Sequence, residues 1–358
     1  MSSRYARVAA FAAAIVAVQL LAQVAGKAFF LTQLTMSAYY TLVALGLSVL
    51  MGYAGQISLG HAAFFAIGGY TTGFLTTADL SARRGGALVA LLARARVLEA
   101  RPDLYGGEVL TVHPWAAFAV ALAVAVAVAF AIGVPVLKLK GHYLAMATLG
   151  FGTIVYGVVL GTAALGAADG LGSVPPFPLL GGAAVSGARD ARVVNYYVAW
   201  GLVALALLVL GNLVASRVGR GLRAIHGAED AADASGVAVA RYKLKTFVLS
   251  AALAAVGGVF LTHYNAGIGP GEAAVMKSVR YVAIVAVGGM GSIWGTVATS
   301  AVLNFLSLRG YFGTLDDAVF AAVLLFVMLF SPEGILRLDA RRALAAVRAR
   351  VRREGAAP

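Results

Sequence analysis

The sequence predicts an all-α, polytopic membrane protein of about ten spans, and three observations carry that prediction. Of its 358 residues, 61% are hydrophobic and only 12% charged, too little charge to cover the exterior of a water-soluble domain. The apolar residues collect in runs near 20 residues, the length at which a helix crosses a bilayer core. The 43 glycines suit helices in lipid, where small residues let backbones approach.

The first run follows Arg4 and Arg7 and extends from about 8 to 25. Its Ala22-Gln23-Val24-Ala25 end faintly resembles a signal cleavage site. The chain beyond it stays apolar, so an uncleaved first span is expected. Further spans are expected at 34–52, 58–77, 114–136, 142–162, 195–215, 246–264, 279–294, 296–310 and 317–331. Several are short or interrupted by glycine, which points to broken or re-entrant helices. Ten spans place both termini on one face. That face would hold 17 of the 28 Lys and Arg residues, and such a bias assigns it to the cytoplasm.

Residues 1–336 form one transmembrane domain in this reading, with two polar interruptions. Segment 78–113 is an external insertion. Its GALVALLARARVLEARPDLYGGEV stretch reads as a short surface helix closed by Pro102 and Gly106-Gly107, lying on the membrane face or against an extracytoplasmic partner. The other external stretch, 163–194, is rich in Gly, Ala and Pro and reads as a loop or broken helix. Segment 216–246 places Arg217, Arg220, Arg223, Arg241, Lys243 and Lys245 around an acidic centre of Glu229, Asp230 and Asp233. A charge-zoned segment between two spans is a docking surface, and it reads as the handle by which a separate motor moves a transport channel. Residues 337–358 form a basic cytoplasmic tail suited to lipid headgroups. The net charge of +13 therefore answers to membrane lipid and topology, not to nucleic acid; nothing aromatic accompanies the tail arginines.

The residues also exclude chemistry. Cysteine is absent, and Lys277-Ser278 follows Met276 and no glycine, so no phosphate-binding loop is present. His61, His142 and His263 lack metal-ligand spacing and read as hydrogen-bonded helix-packing or interfacial histidines. Glu272, Asp316, Asp317 and Glu333 are expected near span ends, which leaves no acidic group for ion coupling, and Arg280 is expected to snorkel to the interface. No catalytic, metal or cofactor site is expected.

The sharpest motif is Gly52–His61, where two spans meet with almost no polar loop. The plain reading is a tight helical hairpin; the functional one makes Gly55, Gln56, Ser58, Gly60 and His61 part of a gate. Gly288–Gly295 is a weaker echo.

These residues carry a family resemblance. Tyr39–Gly73, Gly141–Val155, Gly221–Ala251, Val282–Gly295 and Leu329–Ile335 together resemble the inner-membrane permeases of bacterial branched-chain amino acid ABC importers, of the LivM type. The resemblance implies a type II ABC importer architecture and half of a channel for aliphatic amino acids, working by alternating access. It also implies a second homologous permease, two cytoplasmic ATPases and an extracytoplasmic substrate-binding protein. The family's Glu-Ala-Ala-x-x-x-Gly coupling motif maps onto Asp230, Ala231, Ala232 and Gly236, with aspartate in the glutamate position. Arg223 and Glu229 complete the expected coupling set on a lever helix over 222–236. The insertion at 78–113 is longer than the family pattern, and Gly166–Gly172 matches its external glycine-rich motif loosely. An importer of urea, short amides or another amino acid, and a stand-alone ion-coupled carrier, are the rival readings.

Overall fold

The computed structural model describes residues 2–81, 94, 97–102 and 108–330. Its helices are α1 (Ser2–Val24), α2 (Phe30–Ala54), α3 (His61–Thr77), α4 (Pro114–Val136), α5 (His142–Gly161), α6 (Arg192–Ala215), α7 (Arg217–Gly227), α8 (Glu229–Ala234), α9 (Val239–Tyr264), α10 (Val275–Gly288), α11 (Ile293–Leu308) and α12 (Asp316–Phe330). Six of them (α1, α2, α4, α5, α6 and α9) are long and apolar enough to cross a membrane. The chain is a polytopic helical membrane protein. Helices α3, α10, α11 and α12 are shorter, at 17, 14, 16 and 15 residues. With these four the ten expected transmembrane segments are all present as helices.

The helices sort by burial in the way their composition dictates. α2 is the axis of the bundle, with Ala38, Leu42, Leu45 and Val49 almost wholly enclosed. α9 packs along it where a Cβ on Gly46 would lie 2.9 Å from the Ser250 carbonyl oxygen and one on Gly257 2.7 Å from that of Tyr39, so that small residues let the two backbones close. α4 and α5 turn Val120, Phe130, Met146 and Ile154 outward, as surfaces facing lipid or another subunit do.

One face gathers the ends of several elements. A cavity of about 420 Å³ is lined by Tyr5, Tyr53, Asn212, Arg223 and Gly291, which brings together the start of α1, the ends of α2 and α6, and the start of α11. Segment 216–246 lies on this face, here called the coupling face. Its approach to the 288–295 echo is tight: a Cβ on Gly52 would lie 1.5 Å from the Met290 carbonyl oxygen, and the Tyr53 hydroxyl donates to the Gly291 carbonyl at 2.8 Å. The two glycine motifs therefore form one crossing.

Several expectations need correction. The stretch 98–112 is no part of a surface helix: β1 (Leu98–Pro102) pairs antiparallel with β2 (Glu108–Val112). Alternation explains it, since Glu99 and Arg101 share one strand face and pair at 3.1 Å. The remainder of that predicted helix falls almost wholly outside the described residues. The 163–194 loop carries a second minimal hairpin, β3 (Phe177–Pro178) with β4 (Ala184–Val185). Arg280, expected to reach toward the interface, pairs with Asp316 and Asp317 at the start of α12. His142 is exposed at the start of α5, the interfacial of its two expected places. Glu333 and the basic tail at 337–358 lie outside the described residues.

Candidate functional site

Segment 216–246 folds into two short helices and the first two turns of a third. Ser216 caps α7, its hydroxyl oxygen accepting from the Val218 N–H at 3.1 Å. Ala228, in extended conformation, separates α7 from α8. The lever expected over 222–236 is thus broken at its middle. α8 begins with Glu229 and Asp230, acids suited to the positive end of a helix. It ends where Gly236 turns left-handed at φ 83°, with the Gly236 N–H on the Asp233 carbonyl at 2.8 Å and the Val237 N–H on the Ala232 carbonyl at 3.1 Å. That closure favours glycine because a Cβ is strained at positive φ. The sequence expectation that Gly236 terminates the helix agrees with this geometry.

The expected coupling residues divide by what they touch. Ala232 is buried with Ile225 and Val239, which seats α8 on α7 and α9. Ala231 and Asp230 face outward. Asp230 accepts from Lys140, in the α4–α5 link, at 3.0 Å; this hydrogen bond first, and the aspartate charge second, hold the Lys140 ammonium above the usual lysine range. Glu229 lies 2.6 Å from the Lys243 ammonium in the second turn of α9. Arg223 sits apart on α7, where its guanidinium reaches the Val214 carbonyl and lines the cavity shared with α1.

The candidate gate lies directly beneath. Gly55 ends α2 at φ 67°, and a Cβ there would approach His226 Nδ1 to 3.1 Å. Gln56 is buried, and neither end of its amide has a partner among the described residues. It shares a cavity of about 200 Å³ with Lys140, Ile225, His226, Glu229 and Lys243. The structure therefore brings Gly55 and Gln56 together with Glu229 of the coupling set.

Ser58, Gly60 and His61 do something different. The Leu59 N–H donates to Thr148 Oγ1 at 3.0 Å, and a Cβ on Gly60 would sit 2.5 Å from the Thr148 carbonyl oxygen, so the turn is clamped to α5. His61 Nδ1 meets Ser58 Oγ at 3.0 Å and Nε2 meets Ser250 Oγ at 2.7 Å, tying α3 to α9. Both ring nitrogens of His61 are engaged and its side chain is buried. Sequence reasoning missed His226, Lys140, Thr148 and Ser250. Thr148 and Ser250 each left a signal, a hydroxyl in an otherwise apolar run.

The model of the family described as "Branched-chain amino acid transport system / permease component" matches residues 29–330. The chain is 29% identical over 323 residues to the high-affinity branched-chain amino acid transport system permease protein LivM of Salmonella typhimurium and to LivM of Escherichia coli, covering 84% of this chain and 68% of each relative. It is 28% identical over 322 residues to LivH of Salmonella typhimurium, covering 86% of this chain and 96% of that one. No solved structure matches. From α2 through α12, the bundle and its two-helix coupling-face segment belong to a member of the branched-chain amino acid transport system permease family.

Proposed function

We propose that this chain is half of the transmembrane pathway of an ATP-driven importer of branched-chain amino acids in the bacterial inner membrane. The observation that carries the reading is the family match across nearly every helix, joined to relatives whose names specify high-affinity branched-chain amino acid transport. In this reading the coupling face is cytoplasmic, in keeping with its share of Lys and Arg. A second homologous permease completes the pathway, two cytoplasmic ATPases engage α8, and an extracytoplasmic binding protein delivers substrate to the opposite face.

The geometry supplies a route for force. Ala231 and Asp230 offer the outer surface of α8, while buried Ala232 holds that helix to α7 and α9. A push on α8 reaches α9 through Glu229 and Lys243, and reaches the α2–α3 turn through the cavity holding Gln56. α9 is 26 residues long, so displacement of its first turns carries to the opposite face. Rocking of such packed helices exposes the pathway first to one side and then to the other.

The test is uptake by the complete complex in proteoliposomes with saturating binding protein. Leucine, isoleucine and valine should accumulate in an ATP-dependent manner. Uptake of urea or short amides without these amino acids would reassign the substrate and keep the machinery.

A further inference from the structure

α10 is only 14 residues long, about 21 Å against a hydrocarbon core of about 30 Å. The chain reaches its start from the end of α9 through residues 265–274, pinned by a bridge between Leu171 and Ile268 and a 3₁₀ turn at Pro270–Ala273. Glu272 and Lys277 flank this helix start, at the opposite end of α10 from the 288–295 crossing.

Their hydrogen bonds leave much unused. Glu272 Oε1 takes both protein donors, the Tyr40 hydroxyl at 2.9 Å and the Lys277 ammonium at 3.1 Å. The Lys277 ammonium also reaches the Tyr40 oxygen at 3.3 Å and lies 4.6 Å from the Tyr40 ring centre. Glu272 Oε2 has no partner among the described residues, nor do the hydroxyls of Tyr70 and Tyr281. Both tyrosines are at most 3% exposed; Tyr281 lies 6.3 Å from Tyr40 between ring centres, and Tyr70 packs with Ala273, the neighbour of Glu272. Buried polar atoms without partners are costly and rare in a finished core. Glu272 and Lys277 themselves stay partly accessible, with 18% and 25% of their side chains exposed.

We propose that Glu272, Lys277, Tyr40, Tyr70 and Tyr281, grouped at the start of α10, form a substrate-contact site that reads the charged head of a zwitterionic α-amino acid. The inference rests on the importer reading above and deepens it. The open carboxylate oxygen and the phenol oxygens accept from an α-ammonium group. The remaining Lys277 proton, the phenol O–H groups and the positive end of α10 receive an α-carboxylate. Half-helix starts point at anionic substrate groups in the same way in secondary transporters. The site is net neutral, as its cargo is. Urea, which has no charges to pair, gains little from it.

The discriminating variant is Tyr70→Phe/Tyr281→Phe in the complete complex. Because these hydroxyls bond nothing among the described residues, their removal leaves thermal stability equal or raised, while leucine uptake at saturating binding protein falls about tenfold. Glu272→Gln/Lys277→Gln removes both charges together and should lower uptake at least as far. Wild-type uptake by the tyrosine variant overturns the proposal, whatever the charge variant does. Absence of branched-chain amino acid uptake by the wild-type complex defeats the importer reading and this inference with it.

Discussion

Lys243 closes on Glu229 at 2.6 Å and so joins the first residue of α8 to the second turn of α9. The pair is asymmetric: the Lys243 side chain is 6% exposed and that of Glu229 31%. Removing the acid strands a buried cation, whereas removing the cation leaves a carboxylate that water can reach. Glu229→Gln should therefore cost more stability than Lys243→Met, by about 1–2 kcal/mol after allowing for the exposure of the acid. Thermal unfolding of the two purified variants checks the order. Equal losses would show that the ion pair carries no directional load.

Asp230 offers the contrasting case. Its side chain is 92% exposed and its partner Lys140 is exposed as well, so their ion pair is screened by solvent. Asp230→Asn should leave the unfolding temperature where it was. In the importer reading it should still lower ATP-dependent uptake several-fold, because the carboxylate lies on the outer surface of α8. A parallel fall in stability and uptake would remove Asp230 from the coupling surface.

Gly236 tests backbone and surface together. Its left-handed φ of 83° disfavours any side chain, yet nothing lies within 4 Å of where a Cβ would be. Gly236→Ala should cost about 1 kcal/mol through backbone strain alone, and Gly236→Asn less, since asparagine tolerates this region. Gly236→Arg adds bulk in open space, so it should fold comparably to the alanine variant but fail in ATP-coupled uptake. Retained uptake would place the ATPase elsewhere.

His61 tests bracing against gating. Ser250→Ala leaves one of its buried ring nitrogens without its 2.7 Å partner, a loss of about 1–2 kcal/mol. A bracing role predicts lower stability of the folded bundle with uptake per folded complex unchanged. A changed turnover at unchanged stability would place His61 in the gate.

Much of this was legible beforehand, for a simple reason. Apolar runs near 20 residues set the helices, so α4 coincides with its expected 114–136 and α5 ends one residue short of 162. Where polar residues continue a helix, hydropathy alone stops too soon: α9 starts at Val239, seven residues before the apolar run, because Arg241, Lys243 and Lys245 extend the same helix out of lipid. Pro102 read as a helix stop although it ends a strand, since a breaker marks an end without saying what it ends. In the candidate site, Gly236 was readable from local backbone chemistry. The meeting of Gln56 with His226 and Glu229 was not, because it depends on how α2, α7 and α8 pack at residues far apart in the chain.

The central claim is that this polypeptide is a conduit moved by a separate motor through α8. Its most direct test is solute accumulation in proteoliposomes holding either the purified chain under an imposed proton or sodium gradient, or the complete complex with ATP. The account predicts concentrative leucine uptake only by the complete complex, and only while ATP is hydrolysed. Concentrative uptake by the isolated chain on an ion gradient, with no nucleotide present, would contradict it.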